Sequence, residues 1–100
     1  MSYYIYIITN KSKGVLYIGY TKRLKERIYQ HKNKVHPTTF SARYNLDKLV
    51  YFEKFEIEED ARLREKRMKK WNRDWKIELI EKENPDWKDL YKDLEFRKPI

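Results

Sequence analysis

Five side chains with acid–base or anion-binding chemistry stand out in this sequence by their type and order. Tyr6 and Tyr17 lie in a tyrosine-rich ribbon, Arg27 and His31 follow it, and Glu65 comes later. A phenol, with an ordinary pKa of about 10, acts as a base at neutral pH only where positive charge stabilises the phenolate. Arginine and histidine can supply that charge and bind phosphate oxygens. Whether these groups act together depends on the strands and helices that carry them.

The ribbon predicts a β-hairpin, because β-branched and aromatic runs flank a short polar turn from Asn10 to Gly14. We expect Thr9 to pair with Gly14. In that register Tyr6 lies directly opposite Tyr17, and both hydroxyls project from one face of the sheet. A purely structural role is the alternative, since cross-strand aromatic pairs stabilise sheets by about 0.2–1 kcal/mol each.

Arg27 and His31 are predicted on the inward side of the helix that follows the hairpin. We expect this helix over residues 22–34, with Thr21 as its N-cap. Helical spacing places both side chains in the same arc as the apolar stripe, which consists of Leu24, Ile28 and Val35. The opposite, solvated face is represented by Lys25 and Gln30. An unpaired buried charge is costly, so these two groups need either internal partners or a ligand.

Glu65 is predicted on a later helix that begins near Glu58. The expected buried stripe of this helix consists of Ile57, Ala61, Met68 and Trp71. Glu65 is a single carboxylate that faces the sheet among basic neighbours. It either forms a salt bridge to Arg27 or Arg64, or it anchors one divalent cation, because Mg²⁺ takes oxygen ligands.

The remaining patterns complete an α+β fold: a small three-stranded antiparallel sheet flanked by three or more helices, in a single domain over residues 1–100. We expect strands at 3–9, 15–20 and 48–55, the last one well covered, and a loop at 33–41 that leaves His36 on the surface. A third helix is expected at 75–82, ended by Asn84 and Pro85, with Trp75, Leu79 and Ile80 buried. A capping helix at 86–94 carries Trp87, Leu90 and Tyr91, and the last residues are expected to fray.

The charge distribution predicts a polyanionic partner. The net charge is +8, and basic residues dominate residues 22–34 by six to one and residues 62–76 by eight to two. Candidate nucleic-acid-binding residues are Lys22, Arg23, Lys32, Arg43, Arg64 and Lys69. The absence of cysteine excludes disulfides, thiolate zinc sites and cysteine nucleophiles. With no apolar run long enough for a membrane span and no signal-peptide flank, we expect a cytoplasmic protein with no membrane partner.

The combined pattern resembles the GIY-YIG nuclease domain. Tyr4-Ile5-Tyr6 and Tyr17-Ile18-Gly19 stand ten residues apart, and the arginine, histidine and glutamate follow in the family's order. Nearly the whole chain resembles the small stand-alone bacterial members of this family, known as UPF0213. One departure is that Tyr4 stands where the first motif has glycine. This is a strand position, so the change bears on packing more than on chemistry.

The resemblance implies roles for individual residues. Tyr6 is implied as the base or water-orienting group, with Tyr17 supporting it, and Arg27 as the phosphate ligand. Glu65 would hold Mg²⁺ or Mn²⁺, and His31 would relay a proton or fix a tyrosine hydroxyl. Supporting positions are Tyr4, Gly19 and Asn84, the last of which would close the site.

The leading hypothesis is therefore a metal-dependent endonuclease acting on DNA, at branched, nicked or damaged structures in repair or recombination. A catalytically inactive nucleic-acid-binding module on the same scaffold is the alternative, because 100 residues leave little room for a separate specificity domain. A third hypothesis, an interaction domain without a polyanionic partner, predicts binding that does not depend on salt. The sequence leaves the choice between DNA and RNA and the oligomeric state open.

Overall fold

Three antiparallel strands form the frame of the molecule, β1 (Tyr3–Thr9), β2 (Leu16–Thr21) and β3 (Lys48–Phe55), in the order β2-β1-β3. The computed structural model describes residues 1–96. Its helices are α1 (Leu24–Lys32), α2 (Phe40–Arg43), α3 (Glu58–Lys69), α4 (Arg73–Glu83) and α5 (Tyr91–Phe96). This arrangement confirms the predicted α+β fold. The expected fraying concerns residues 97–100, which lie outside the described part of the chain.

The hairpin register differs from the predicted one by two residues. Thr9 pairs with Leu16, and Tyr6 pairs with Gly19. The connecting loop is longer than expected because the Asn10 side chain accepts a hydrogen bond from the backbone N–H of Val15, at 3.0 Å. Since side chains alternate between faces, a shift of two residues keeps each side chain on its expected face. Tyr6 and Tyr17 therefore share a face as diagonal neighbours, with ring centroids 6.5 Å apart.

The two faces of the sheet carry different helices. One face packs its isoleucines against α3 and α4, in a cluster that includes Ile5, Ile7, Ile18, Ala61, Met68 and Ile80. The other face packs against α1 and the C-terminal segment, in a cluster that includes Tyr6, Ile8, Leu24, Ile28, Leu46 and Leu49. Because α1 lies on the Tyr6 face, its inward polar residues meet the tyrosine hydroxyls.

The predicted start of α1 was two residues too early. The Thr21 hydroxyl accepts a hydrogen bond from the Arg23 N–H at 3.0 Å, so it stabilises a turn before the helix and does not cap the helix itself. The helix begins at Leu24 and ends at Lys32. Val35 lies beyond that end and is exposed, which makes its assignment to the buried stripe wrong. Gln30 is half-buried and does not belong to the solvated face.

The segment 33–41, predicted as a loop, includes the first two residues of α2. Thr39 caps this short helix by accepting a hydrogen bond from the Ala42 N–H at 3.4 Å.

Two further residues that were predicted as buried are exposed instead. Ile57 lies just before α3 on extended backbone, and Trp75 lies in the first turn of α4 with its ring edge-on to Trp71. By contrast, the bounds of β3 and the start of α3 were predicted correctly.

The C-terminal segment closes over the outer edge of the sheet at β3. The Leu90 N–H donates to the Leu49 carbonyl at 2.7 Å, and Leu90 and Tyr91 pack on the α1 side. The capping helix begins at Tyr91, five residues later than predicted, because Trp87 takes left-handed backbone with φ of 54°. Within residues 1–96, no helix is long and apolar enough to cross a bilayer.

Candidate active site

Tyr6 lies at the centre of the predicted site, with only 1% of its surface exposed. Its ring lies across Gly19, the residue paired with it on β2. A Cβ on Gly19 would stand 2.3 Å from the Tyr6 hydroxyl oxygen, far inside any van der Waals contact. Glycine is therefore required at this position to make room for the phenol.

His31 connects Tyr6 to the loop side of the site. Its Nε2 lies 2.9 Å from the Tyr6 hydroxyl, and its Nδ1 lies 2.9 Å from the Ser41 hydroxyl on α2. The His31 ring is also close to both tyrosine rings, with centroids 5.7 Å from Tyr6 and 6.1 Å from Tyr17. The prediction that α1 turns His31 toward the tyrosines is confirmed by these contacts.

Burial keeps both members of this hydrogen bond neutral. It raises the pKa of Tyr6 to about 12, although the nearby Arg27 guanidinium opposes the shift. It lowers the pKa of His31 to about 4, and the positive charges of Arg27 and His36 lower it further. A neutral phenol is the stronger donor of the two, so we assign the Tyr6 O–H to donate to Nε2 and the Nδ1–H to donate to Ser41. The expectation that nearby cations stabilise a phenolate does not hold for the protein alone, because the cost of burial is larger.

Arg27 carries donor capacity that the described protein leaves unused. Its Nη1 donates to the Gln30 side chain at 3.2 Å. Its Nε is buried and makes no hydrogen bond of acceptable geometry among the described residues, although the guanidinium lies close enough to the Tyr6 hydroxyl to oppose the rise in its pKa. Such an orphaned donor is costly unless a ligand satisfies it. Neither a backbone carbonyl nor an internal acid fills that role in residues 1–96.

A pocket of about 140 Å³ opens beside these groups. It is lined by Tyr17, Arg27, Gln30, His31, Lys34, His36, Thr39, Phe40, Ser41 and Ala42. None of these lining residues is acidic, so the pocket favours an anion. Its volume is well below the roughly 300–1,000 Å³ of pockets that enclose a drug-sized molecule. A small anionic group such as phosphate fits better than a whole organic ligand.

Glu65 lies on α3, which packs against the face of the sheet opposite Tyr6, and it does not line the pocket. Its negative charge makes only a small contribution to the raised pKa of Tyr6, which is caused mainly by burial. Its carboxylate pairs with Lys69 at 3.1 Å. The alternative role, a salt bridge to Arg27 or Arg64, is not found in the described part of the chain: Arg64 makes two hydrogen bonds to Glu53, at 3.1 and 3.0 Å, and Arg27 bonds to Gln30.

A cation site here would rest on one carboxylate. Among residues 1–96, no three histidine, aspartate or glutamate side chains cluster as metal ligands. A half-buried carboxylate that is paired with a half-exposed lysine ammonium fits Mg²⁺, which keeps most of its waters and takes only one or two carboxylates from the protein.

Asn84 has a structural role that sequence reasoning did not anticipate. Its buried side-chain amide donates to the Val50 carbonyl at 3.1 Å and to the Lys88 carbonyl at 2.9 Å. Its amide oxygen accepts from the Lys88 N–H at 3.0 Å. These bonds tie the end of α4 to β3, and Asn84 does not line the pocket.

Comparison with known proteins identifies the family. Residues 2–78 match the GIY-YIG catalytic domain. The chain belongs to the GIY-YIG family. Its relatives include UPF0213 protein CPE1444 of Clostridium perfringens, which is 40% identical over 77 residues, covering 77% of this chain and 81% of that protein. UPF0213 protein SSP2268 of Staphylococcus saprophyticus is 37% identical over 78 residues, covering 78% and 93%.

A solved structure supports the same placement. The solution NMR structure of UPF0213 protein BH0048 from Bacillus halodurans matches with a TM-score of 0.56 and 25% identity, covering 89% of this chain and 93% of that one. The predicted membership among the small UPF0213 members of the GIY-YIG family is therefore confirmed. Membership places this chain in a nuclease family, whose substrates are nucleic acids. Tyr4, which replaces the first glycine of the motif, is half-buried and packs beside the Tyr6 cluster.

The predicted nucleic-acid-binding residues of this GIY-YIG domain fall into two groups. Lys32, Arg64 and Lys69 are engaged in ion pairs with Asp89, Glu53 and Glu65, respectively. Lys22, Arg23 and Arg43 are exposed, although Lys22 lies 3.9 Å from Glu58 and Arg23 lies 3.5 Å from Glu26. All six remain predictions, and the exposed three are the better placed to meet a phosphate backbone.

Sequence reasoning missed several residues that build the site. Ser41 and Gln30 bind His31 and Arg27 directly, and His36, which is exposed as predicted, also lines the pocket. Gln30 lies three residues after Arg27, the spacing of neighbours on a helix, so it could have been found. Ser41 carried no such signal, because a loop separates it from α1.

Proposed function

We propose that this GIY-YIG domain is an endonuclease that hydrolyses DNA phosphodiester bonds, at branched, nicked or damaged structures, in the bacterial cytoplasm. One observation carries the proposal: Tyr17, Arg27 and His31 converge on a pocket with no acidic lining residue, beside a phenol that His31 holds in place. Hydrolysis requires a positioned water, neutralised phosphate oxygens and a stabilised leaving oxygen.

Arg27 supplies the phosphate site in this proposal. Arg27 lines the pocket, and its guanidinium has N–H donors besides the Nη1 that bonds to Gln30, so a phosphate oxygen in the pocket can accept from it. A guanidinium placed this way stabilises the charge that develops on the phosphate oxygens as water attacks.

Tyr6 is the proposed base or water-orienting group, with Tyr17 supporting it from the pocket wall. Burial raises the pKa of Tyr6 and lowers that of His31, so moving a proton from the phenol to the imidazole is strongly unfavourable in the protein alone. The protein therefore needs additional positive charge before Tyr6 can accept a proton from water. Mg²⁺ or Mn²⁺ held by Glu65 would supply that charge and stabilise the leaving oxygen. If Tyr6 is the base, its O–H proton must first pass to His31 Nε2 along their hydrogen bond, and the phenolate then takes a proton from water. If Tyr6 orients the water, it stays a phenol and Nε2 fixes the direction of its O–H.

The test is a cleavage panel. Purified protein is incubated with labelled duplex, single-stranded and branched DNA, with Mg²⁺, with Mn²⁺ and with EDTA. We expect cleavage that requires metal and is lost in Glu65→Ala, while Glu59→Ala, an exposed glutamate on the same helix, cleaves like wild type. Absence of cleavage on every substrate, or cleavage that survives Glu65→Ala, would contradict the proposal.

The neutral, buried phenol favours a second candidate, a nucleic-acid-binding module without turnover. The Arg27→Ala variant distinguishes the two candidate functions. An endonuclease loses cleavage in this variant while DNA binding persists, whereas the binding module shows no cleavage in wild type either. Binding that is insensitive to salt would exclude both, because phosphate contacts release counterions.

A further inference from the structure

Phe40 and Tyr44 form an exposed aromatic pair at the two ends of α2. Their side chains are 49% and 48% exposed, and their ring centroids lie 4.6 Å apart at a tilt of 40°. Tyr6, by contrast, is buried. Two adjacent rings left in solvent form an apolar patch that has no role in the protein core.

The pair is continuous with the candidate active site. Phe40 lines the pocket, and its ring centroid lies 6.4 Å from that of Tyr17. The rings of Tyr44, Phe40 and Tyr17 therefore form a row that leads from solvent into the site. The hydrogen bond between Ser41 and His31 ties α2 to α1 at 2.9 Å, so the position of the row is fixed relative to His31.

Positive charge accompanies this aromatic row. Lys34 and His36 line the pocket with Arg27, and Arg43 is exposed between the two aromatic residues in the sequence. Aromatic rings beside a positively charged groove are the combination that binds single-stranded nucleic acid, since bases stack on the rings while cations follow the backbone. If the Phe40–Tyr44 pair bound a protein partner, it would not need to adjoin a pocket that favours an anion.

We propose that the Phe40–Tyr44 pair is a stacking platform for an unpaired DNA base next to the phosphate held in the pocket. The proposal rests on the proposed function and narrows its substrate to DNA with unpaired nucleotides at the cleavage point. In an intact duplex the base faces are covered by neighbouring bases, so only an unpaired base can reach the rings. Phe40 and Tyr44 are then specificity-determining residues.

The experiment measures binding without cleavage. Single-stranded oligonucleotides carrying 2-aminopurine, and fully paired duplexes of the same sequence, are titrated with protein in EDTA. We expect 2-aminopurine fluorescence to be quenched on binding to wild type, and Tyr44→Leu to weaken single-strand binding by about tenfold while duplex binding stays unchanged. Tyr29→Leu, the same substitution at a tyrosine that is 55% exposed on α1, should leave both affinities unchanged.

A conservative variant guards against a folding artefact. Tyr44→Trp keeps an aromatic face and should retain tight, quenched single-strand binding. Equal loss of duplex and single-strand binding in Tyr44→Leu, or no loss at all, would overturn the inference. Tighter binding of the matching RNA strand would overturn the choice of DNA. Quenching without any metal-dependent cleavage would support the stacking platform and contradict the endonuclease proposal. Metal-dependent cleavage with no effect of Tyr44→Leu on single-strand binding would support the endonuclease and contradict the stacking platform.

Discussion

Tyr6 owes its position to two neighbours that act in different ways. Gly19 makes room for the ring by having no side chain, and His31 binds the hydroxyl at 2.9 Å. The first contact is steric and the second is directional. Together they hold a neutral phenol beside the Arg27 guanidinium. A small displacement of the ring would therefore change how strongly that charge acts on the Tyr6 hydroxyl.

Gly19→Ala should displace Tyr6. The added methyl would lie 2.3 Å from the hydroxyl oxygen and 2.8 Å from a ring carbon, so we expect a loss of about 1–3 kcal/mol in the free energy of unfolding. Urea denaturation of a double-mutant cycle checks the cause. In a Tyr6→Leu background the same substitution should cost much less, because the clashing atoms are gone. Equal costs in the two backgrounds would show that the clash with Tyr6 is not responsible.

His31 should make stability depend on pH below neutrality. Its pKa is lowered to about 4 in the folded protein, against about 6.5 in the unfolded chain, so the unfolded chain binds the proton first as pH falls. The stabilisation is fully present well above pH 6.5 and is lost progressively as the pH falls toward 4. Denaturation between pH 7 and 4.5 should show this loss in wild type and in His36→Gln, but less of it in His31→Gln. Identical profiles in all three proteins would contradict the assignment.

At the scale of elements, the site is assembled by α1 and β1 and completed by α2. Helical spacing predicted that Arg27 and His31 share an arc of α1 with Leu24 and Ile28, and the structure bears this out. The hairpin register was wrong by two residues because the Asn10 side chain holds a longer loop, a local hydrogen bond that strand patterns do not reveal. The helix α2 has only four residues, too few for any periodicity, so neither its existence nor the contact of Ser41 with His31 could be predicted.

Asn84→Ala should test whether this residue supports the fold or the chemistry. Removing an amide that satisfies two carbonyls and one N–H should lower the free energy of unfolding by about 1–3 kcal/mol. Cleavage per folded molecule should stay close to wild type, because Asn84 lies outside the pocket lining. Asn33→Ala, which removes an exposed amide, should change stability little. A large fall in cleavage by folded Asn84→Ala would show that Asn84 contributes to the active site.

At the scale of the whole molecule, the two faces of the sheet differ in role, one forming the main apolar core and the other carrying the candidate site. One face carries the larger apolar cluster with α3 and α4, and the other combines a smaller cluster with the candidate site. The alternation of residues along β1 encodes this division, so the fold class and the shared face of Tyr6 and Tyr17 could be predicted from sequence. The protonation states could not, because they depend on how completely the folded chain removes water from Tyr6 and His31.

The most direct measurement is the rate of metal-dependent DNA cleavage by Tyr6→Phe. This substitution keeps the ring that fills the space over Gly19 and removes only the hydroxyl that faces His31. We predict a fall of about 100-fold or more in the cleavage rate, the size expected for loss of a positioned acid–base group. Tyr3→Phe, on the same strand but packed with the opposite face, should cleave at the wild-type rate. Cleavage by folded Tyr6→Phe at the wild-type rate would contradict the central claim that the Tyr6 hydroxyl takes part in hydrolysis.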